Sequence, residues 1–137
     1  MGGRGSGSGL KKESMFKPIS LSEKTGTDKQ KKYAQDLLDS MRNTALANGT
    51  AGYHPYKDTT MQRYVSKDFA ESMQQAYRVM KVAVDNRKTY GEVIDVLKRQ
   101  DFLKYAESLR NQAKHKGVSV KKYVDDLMEA AKKKRKS

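Results

Sequence analysis

Between residues 27 and 131 apolar side chains recur at three- and four-residue spacing, and that rhythm constrains the fold more than any other feature of the chain. Tyr33, Ala34, Leu37, Leu38, Met41 and Ala45 make the first stripe. Thr27 and Gln30 stand at capping-box spacing ahead of it, Asp28 places negative charge in the first turn, and Asn48 and Gly49 supply a stop. The spacing predicts a helix over 28–47. Met61, Val65, Phe69, Met73, Ala76, Tyr77, Met80 and Val84 sustain a second stripe that ends over 86–88, as one long helix or as a short one followed by a restart at Ser66. Thr89 and Glu92 repeat the capping box before Val93, Val96 and Leu97, a short third helix. A fourth is expected from about Asp101, with Leu103, Ala106, Leu109 and Ala113 inward and a stop at Gly117. The fifth opens at Ser119 and is expected to bury Val120, Tyr123, Val124, Leu127, Met128 and Ala131.

Only residues 93–97 are rich enough in β-branched side chains to compete as a strand, and their cap and spacing favour the helix. No Asn-Gly or Asp-Gly turn joins two alternating runs. The expected fold is therefore all-α, a single small bundle of about five helices with short connections between antiparallel neighbours.

The ends read differently. Residues 1–9 are Gly and Ser with one Arg after the initial Met, a composition that buries nothing against its own backbone entropy and is expected to be disordered. Arg4 between glycines is as readily a spacer as an RNA-binding fragment. Residues 10–26 carry Met15, Phe16, Ile19 and Leu21 around Pro18, too interrupted for a helix, and are expected to form an extended arm docked on the domain. This divides the chain into tail and arm over 1–26, a helical domain over 27–131 and a basic tail over 132–137. A hydrophobic content of 36%, against about 45–50% for globular chains, agrees with part of the chain standing outside a core.

The absence of Cys excludes disulfides, thiolate metal sites and Cys nucleophiles. Without an apolar leader region or a run of about 20 apolar residues, the expectation is a soluble cytoplasmic protein, with nuclear entry through the terminal basic run as the alternative.

Charge carries the functional signal. The chain has 29 Lys and Arg against 16 Asp and Glu, a net +13, and the residues from Arg110 onward hold +7 of it. Such a field favours a polyanion, most often nucleic acid, whether DNA or RNA. The candidate binding residues are Arg110, Lys114, His115, Lys116, Lys121 and Lys122, a run without an acidic residue across the predicted turn, and the terminal Lys132, Lys133, Lys134, Arg135 and Lys136. The terminal run is expected to fray and to contact phosphates rather than base edges. Tyr53 and Tyr56, beside His54 and Lys57 in a predicted loop, are candidates for stacking on unpaired bases, although a loop Tyr beside Gly and Pro more often packs back on its own bundle. Met41, Met61, Met73, Met80 and Met128 fall on the predicted stripes and read as core filler.

No catalytic constellation emerges, and no enzyme is expected. His54 and His115 lack partners at triad or metal-site spacing. Asp125, Asp126 and Glu129 have the right chemistry for Mg²⁺, but beside Lys121, Lys122 and Lys132 they read as helix-surface ion pairs. Lys24-Thr25-Gly26 lacks the upstream glycine of a phosphate-binding loop. No cofactor is implied.

Two resemblances add to this. The Gly-, Ser- and Arg-rich opening, together with Thr27-Asp28-Lys29-Gln30 followed by Tyr33-Ala34 and Leu37, resembles small proteins of phages and mobile elements in Gram-positive bacteria, which implies an origin rather than an activity. Residues 113–127, with Gly117-Val118-Ser119-Val120 and Tyr123-Val124, resemble the helical half of ribbon-helix-helix repressors. That family reads DNA through a strand preceding its helices, which here would be residues 92–98. Thr89 and Glu92 cap a helix at that place, so the resemblance implies the geometry of a helical hairpin.

The leading expectation is a non-enzymatic protein that contacts nucleic-acid phosphates through its C-terminal hairpin and tail. The alternatives are a phage-encoded interaction module that inhibits a host nucleic-acid-processing or defence complex, marked by an exposed apolar patch involving Phe16, Tyr53 and Tyr56, and a virion structural or scaffold protein.

Overall fold

The helices that begin at Asp28, Tyr90 and Phe102 each start where a side chain satisfies a free amide of the first turn. The Thr27 hydroxyl accepts from the Gln30 amide and the Gln30 side chain accepts from the Thr27 amide, both at 3.1 Å, opening α1 (Asp28–Asn48). Thr89 and Glu92 repeat this reciprocal pair at the start of α3 (Tyr90–Arg99), and the Asp101 carboxylate accepts from the Lys104 amide at 3.2 Å to begin α4 (Phe102–Lys116). α2 (Lys67–Asp85) and α5 (Val120–Lys136) complete the bundle. The computed structural model describes residues 16–21, 24–49 and 67–136, with side chains through Lys133; among them there are five helices and no strand. Met15, Tyr53, His54, Tyr56, Met61, Val65 and Ser66 lie outside the described residues.

α2 is the central element. It packs most extensively on α4, then on α5 and α1, while α3 lies mainly on α1 and α5 also packs on α4. Met73, Ala76, Met80 and Val84 on α2 are buried to 4% exposure or less. The fully buried Ser72 hydroxyl donates to the Ala106 carbonyl, so the polar atom facing α4 is satisfied there.

The extended arm is part of the core. Phe16, Ile19 and Leu21 are all buried. Phe16 stands edge-on to Tyr77 with ring centroids 5.3 Å apart, and the Tyr77 hydroxyl donates to the Lys17 carbonyl at 2.6 Å. Arg42 donates through Nε to the Phe16 carbonyl. Gly49 ends α1 under this ring, and a Cβ there would lie 2.3 Å from Phe16 Cζ. Further along, the Thr25 amide donates to the Lys88 carbonyl at 3.0 Å and the Tyr90 amide to the Thr25 carbonyl at 2.9 Å, stitching the arm to the start of α3.

The buried stripes of α1 and α4 keep the expected phase, except that Tyr33 and Leu103 turn outward, Leu37 is half-buried and Phe102 turns inward. α1 buries Ala34, Leu38, Met41 and Ala45, and α4 buries Phe102, Ala106, Leu109 and Ala113, the same i, i+4, i+7, i+11 pattern in both. Tyr33 and Leu103, about 100° away around their helices, are 44% and 42% exposed. Leu127 is 42% exposed and Ala131 is exposed, whereas Met128 between them still packs against the core. The helical backbone also extends past residue 131. Ala and Lys are strong helix formers, and α5 continues through Lys136.

Candidate nucleic-acid interface

The basic hairpin is built around Gly117. It adopts the left-handed conformation (φ 73°) that L side chains disfavour, and its amide donates to the Lys114 carbonyl at 3.1 Å while the Val118 amide reaches the Ala113 carbonyl at 3.0 Å. α4 therefore ends sharply, and α5 returns against α2 and α4, anchored by buried Val120, Tyr123 and Val124. Gln112 accepts a hydrogen bond from the Tyr123 hydroxyl across the turn.

The structure brings all the described basic candidates onto this hairpin but not onto one face. Arg110 and Lys114 line a cleft with Asp68 and Glu71 of α2 and with Ser119 and Val120. The cations uninterrupted in sequence thus face carboxylates from 40 residues away, which local spacing does not reveal. Arg110 is half-buried, its guanidinium 6.0 Å from the Phe69 ring centre. Glu71 accepts from the Lys121 amide at 3.2 Å and the Ser119 hydroxyl from the Lys122 amide at 3.1 Å, so these first-turn donors of α5 already have acceptors.

Two carboxylates thin the charge in the middle of α5. Asp125 pairs with Arg78 of α2 at 2.6 Å and with Lys121 at 3.1 Å, and Asp126 pairs with Lys122 at 3.5 Å. The hydrogen bond from Arg78, followed by that from Lys121, holds the Asp125 carboxyl below its ordinary value. These acids serve as helix-surface partners, and among the described residues no group of three or more His, Cys, Asp or Glu is placed to hold a metal ion.

The exposed cations away from the middle of α5 form two groups. Lys114, His115 and Lys116 are exposed at the turn, with Lys116 Nζ 5.5 Å from the Tyr123 ring centre. Lys132 and Lys133 are exposed near the far end, and the backbone helix carries Lys134, Arg135 and Lys136 beyond them. At 1.5 Å per residue, Val120 and Lys132 stand about 18 Å apart along the axis. Cationic turn and cationic helix end therefore flank a belt containing Asp125, Asp126 and Glu129. Tyr53 and Tyr56 lie outside the described residues, and Phe16 is fully buried and contributes to no exposed patch.

Compared with family models, curated proteins and solved structures, the chain matches none of them, so its functional reading rests on its own residues. Residues 92–98 lie in α3, and the ribbon that a ribbon-helix-helix protein would use to read DNA is a helix here. What persists of that resemblance is the hairpin. No helix among the described residues is long and apolar enough to cross a membrane.

Proposed function

We propose that the protein binds nucleic acid through phosphate contacts made by the α4–α5 turn and the basic end of α5. The observation that carries this reading is the concentration of +7 of the net +13 charge from Arg110 onward, together with exposure of Lys114, Lys116, Lys121, Lys122, Lys132 and Lys133 on one hairpin. Lysines of this kind act as point charges on flexible stems. They fix a backbone in place without reading base edges. The acid-paired middle of α5 concentrates the contacts at its two ends, about 18 Å apart along the helix axis.

The test is fluorescence anisotropy with labelled single-stranded DNA, duplex DNA and structured RNA at several salt concentrations, on the intact chain and on one ending at Ala131. Binding should weaken linearly in log–log salt plots, with the shortened chain losing as much as about 4.5 from the duplex slope for its five missing charges. Failure of the intact chain to bind any of the three near physiological salt would overturn the reading.

A further inference from the structure

Asn48 and Gly49 are the one Asn-Gly pair of the chain, and the arm covers them. In such a pair the glycine nitrogen is well placed to attack the preceding carboxamide, because glycine sets no Cβ in the way. The fold holds the two reacting groups apart. Asn48 is the last residue of α1, and its Nδ2 donates to the Thr44 carbonyl at 3.0 Å. The Gly49 amide donates to the Ala45 carbonyl at 2.6 Å, and the Gly49 carbonyl accepts from Gln74 Nε2 of α2 at 3.1 Å. Over the buried Gly49 lies the Phe16 ring, itself fully buried against Tyr77.

We infer that Asn48 is a deamidation site that the docked arm keeps closed, and that its isoaspartyl product prevents the arm from docking again. In the reaction the Gly49 nitrogen gives its proton to hydroxide and bonds to Asn48 Cγ. The Cγ–Nδ2 bond breaks, and Nδ2 takes a proton from water and leaves as ammonia. Water then opens the succinimide at either carbonyl, giving aspartate or isoaspartate, and nothing is oxidised or reduced. To reach Cγ, the Gly49 nitrogen must release the Ala45 carbonyl and the peptide must turn out of its helical conformation, a movement for which the Phe16 ring leaves no room. The reaction therefore proceeds from molecules whose arm has opened locally, at a rate set by their population. Isoaspartate adds a methylene to the main chain where even a Cβ on Gly49 would run into Phe16. Aspartate exchanges the Nδ2 donor for an oxygen facing the Thr44 carbonyl, at the negative end of α1. The arm end thus carries a one-way latch, independent of phosphate binding at the hairpin.

The test incubates the full chain at mildly alkaline pH, native and in urea, and follows amide-to-acid conversion at Asn48 by peptide mass spectrometry, with isoaspartate counted by enzymatic methylation. The native chain should react at least about tenfold more slowly than the unfolded one. In urea Asn43, Asn86 and Asn111, followed by Thr, Arg and Gln, should lag behind Asn48. Tyr77→Phe keeps the ring against Phe16 and removes only the hydroxyl that donates to the Lys17 carbonyl, so it should loosen the arm and speed the native reaction about threefold. Phe16→Ala should speed it more. Val124→Ala, which opens a cavity under α5 and leaves the arm intact, should stay within about twofold of the parent. In chains aged to isoaspartate, the amides of residues 16–21 should exchange at least about tenfold faster than before, while those of α4 keep their protection. A native rate equal to that in urea would refute the proposal, as would a Tyr77→Phe rate equal to the parent's. Equal acceleration by Val124→Ala and Tyr77→Phe would assign the reaction to global unfolding rather than to the arm. Unchanged arm protection in the isoaspartyl chain would remove the latch. Tyr77→Phe keeps the test decisive even where Phe16→Ala unfolds the bundle.

Discussion

The two ends of this bundle handle apolar area in opposite ways. Where the arm meets α1, α2 and α3, Phe16, Ile19 and Leu21 fill the space between helices, and backbone hydrogen bonds fasten the arm at Thr25 and Tyr90. At the hairpin, α5 leaves Leu127 half in water and carries its charge outward. Side chains left in water add little buried area there. They supply an exposed surface whose chemistry can be set by partners rather than by packing. Under the proposed function, stability lies chiefly at the arm end and recognition at the hairpin end.

The sharpest way to break that division is Phe16→Ala. Removing a fully buried ring that touches Tyr77 and roofs Gly49 should cost about 3–5 kcal/mol in chemical denaturation, while duplex affinity measured below the transition stays at the parent level. A cost under about 1 kcal/mol would mean that the arm is not part of the core. Gly49→Ala attacks the same contact from the other side. Its Cβ would stand 2.3 Å from Phe16 Cζ and 2.5 Å from the Ala45 carbonyl, and displacing the ring should cost about 1–3 kcal/mol in the same measurement.

Smaller effects separate the ends further. Thr89→Ala removes the cap of α3 and should lower stability by about 1 kcal/mol. At the hairpin, Asp125 has a folded-state pKa below its ordinary 3.8. Its stabilising contribution is therefore fully present above about pH 5 and is lost as pH falls through the depressed folded value. Asp125→Asn should flatten this part of the stability profile in pH-dependent urea melts, and an unchanged acid limb would contradict the pairing with Arg78 and Lys121. Smallest of all is Leu127→Ala, which should change stability by no more than about 0.5 kcal/mol.

Much of the fold was legible in the sequence because its signals are local. The reciprocal caps at Thr27 and Thr89 appear where their spacing places them, and Gly117 ends α4. The errors arise where the deciding contact is distant. Residues 33 and 34 are both apolar, and only packing on α2 and α3 decides that Ala34 turns inward while Tyr33 lies 5.9 Å from Lys98 Nζ. Likewise, the sequence around Arg110 contains no hint that Asp68 and Glu71 close the same cleft. Leu127 fits the stripe of a buried helix in every local respect, yet it is 42% exposed while the adjacent Met128 packs against the core, a difference that spacing does not encode.

The most direct measurement of this division compares duplex binding by two charge-reversed variants of equal net charge, Lys114→Glu with Lys116→Glu at the turn, and Lys29→Glu with Lys32→Glu on exposed positions of α1. Both lower the net charge equally, so a general polyanion attraction would weaken them alike. The account predicts that the turn variant loses at least about tenfold in affinity and about 2 from the salt slope, while the α1 variant stays near the parent. Equal losses in the two variants, or a larger loss in the α1 variant, would contradict the assignment of recognition to the hairpin.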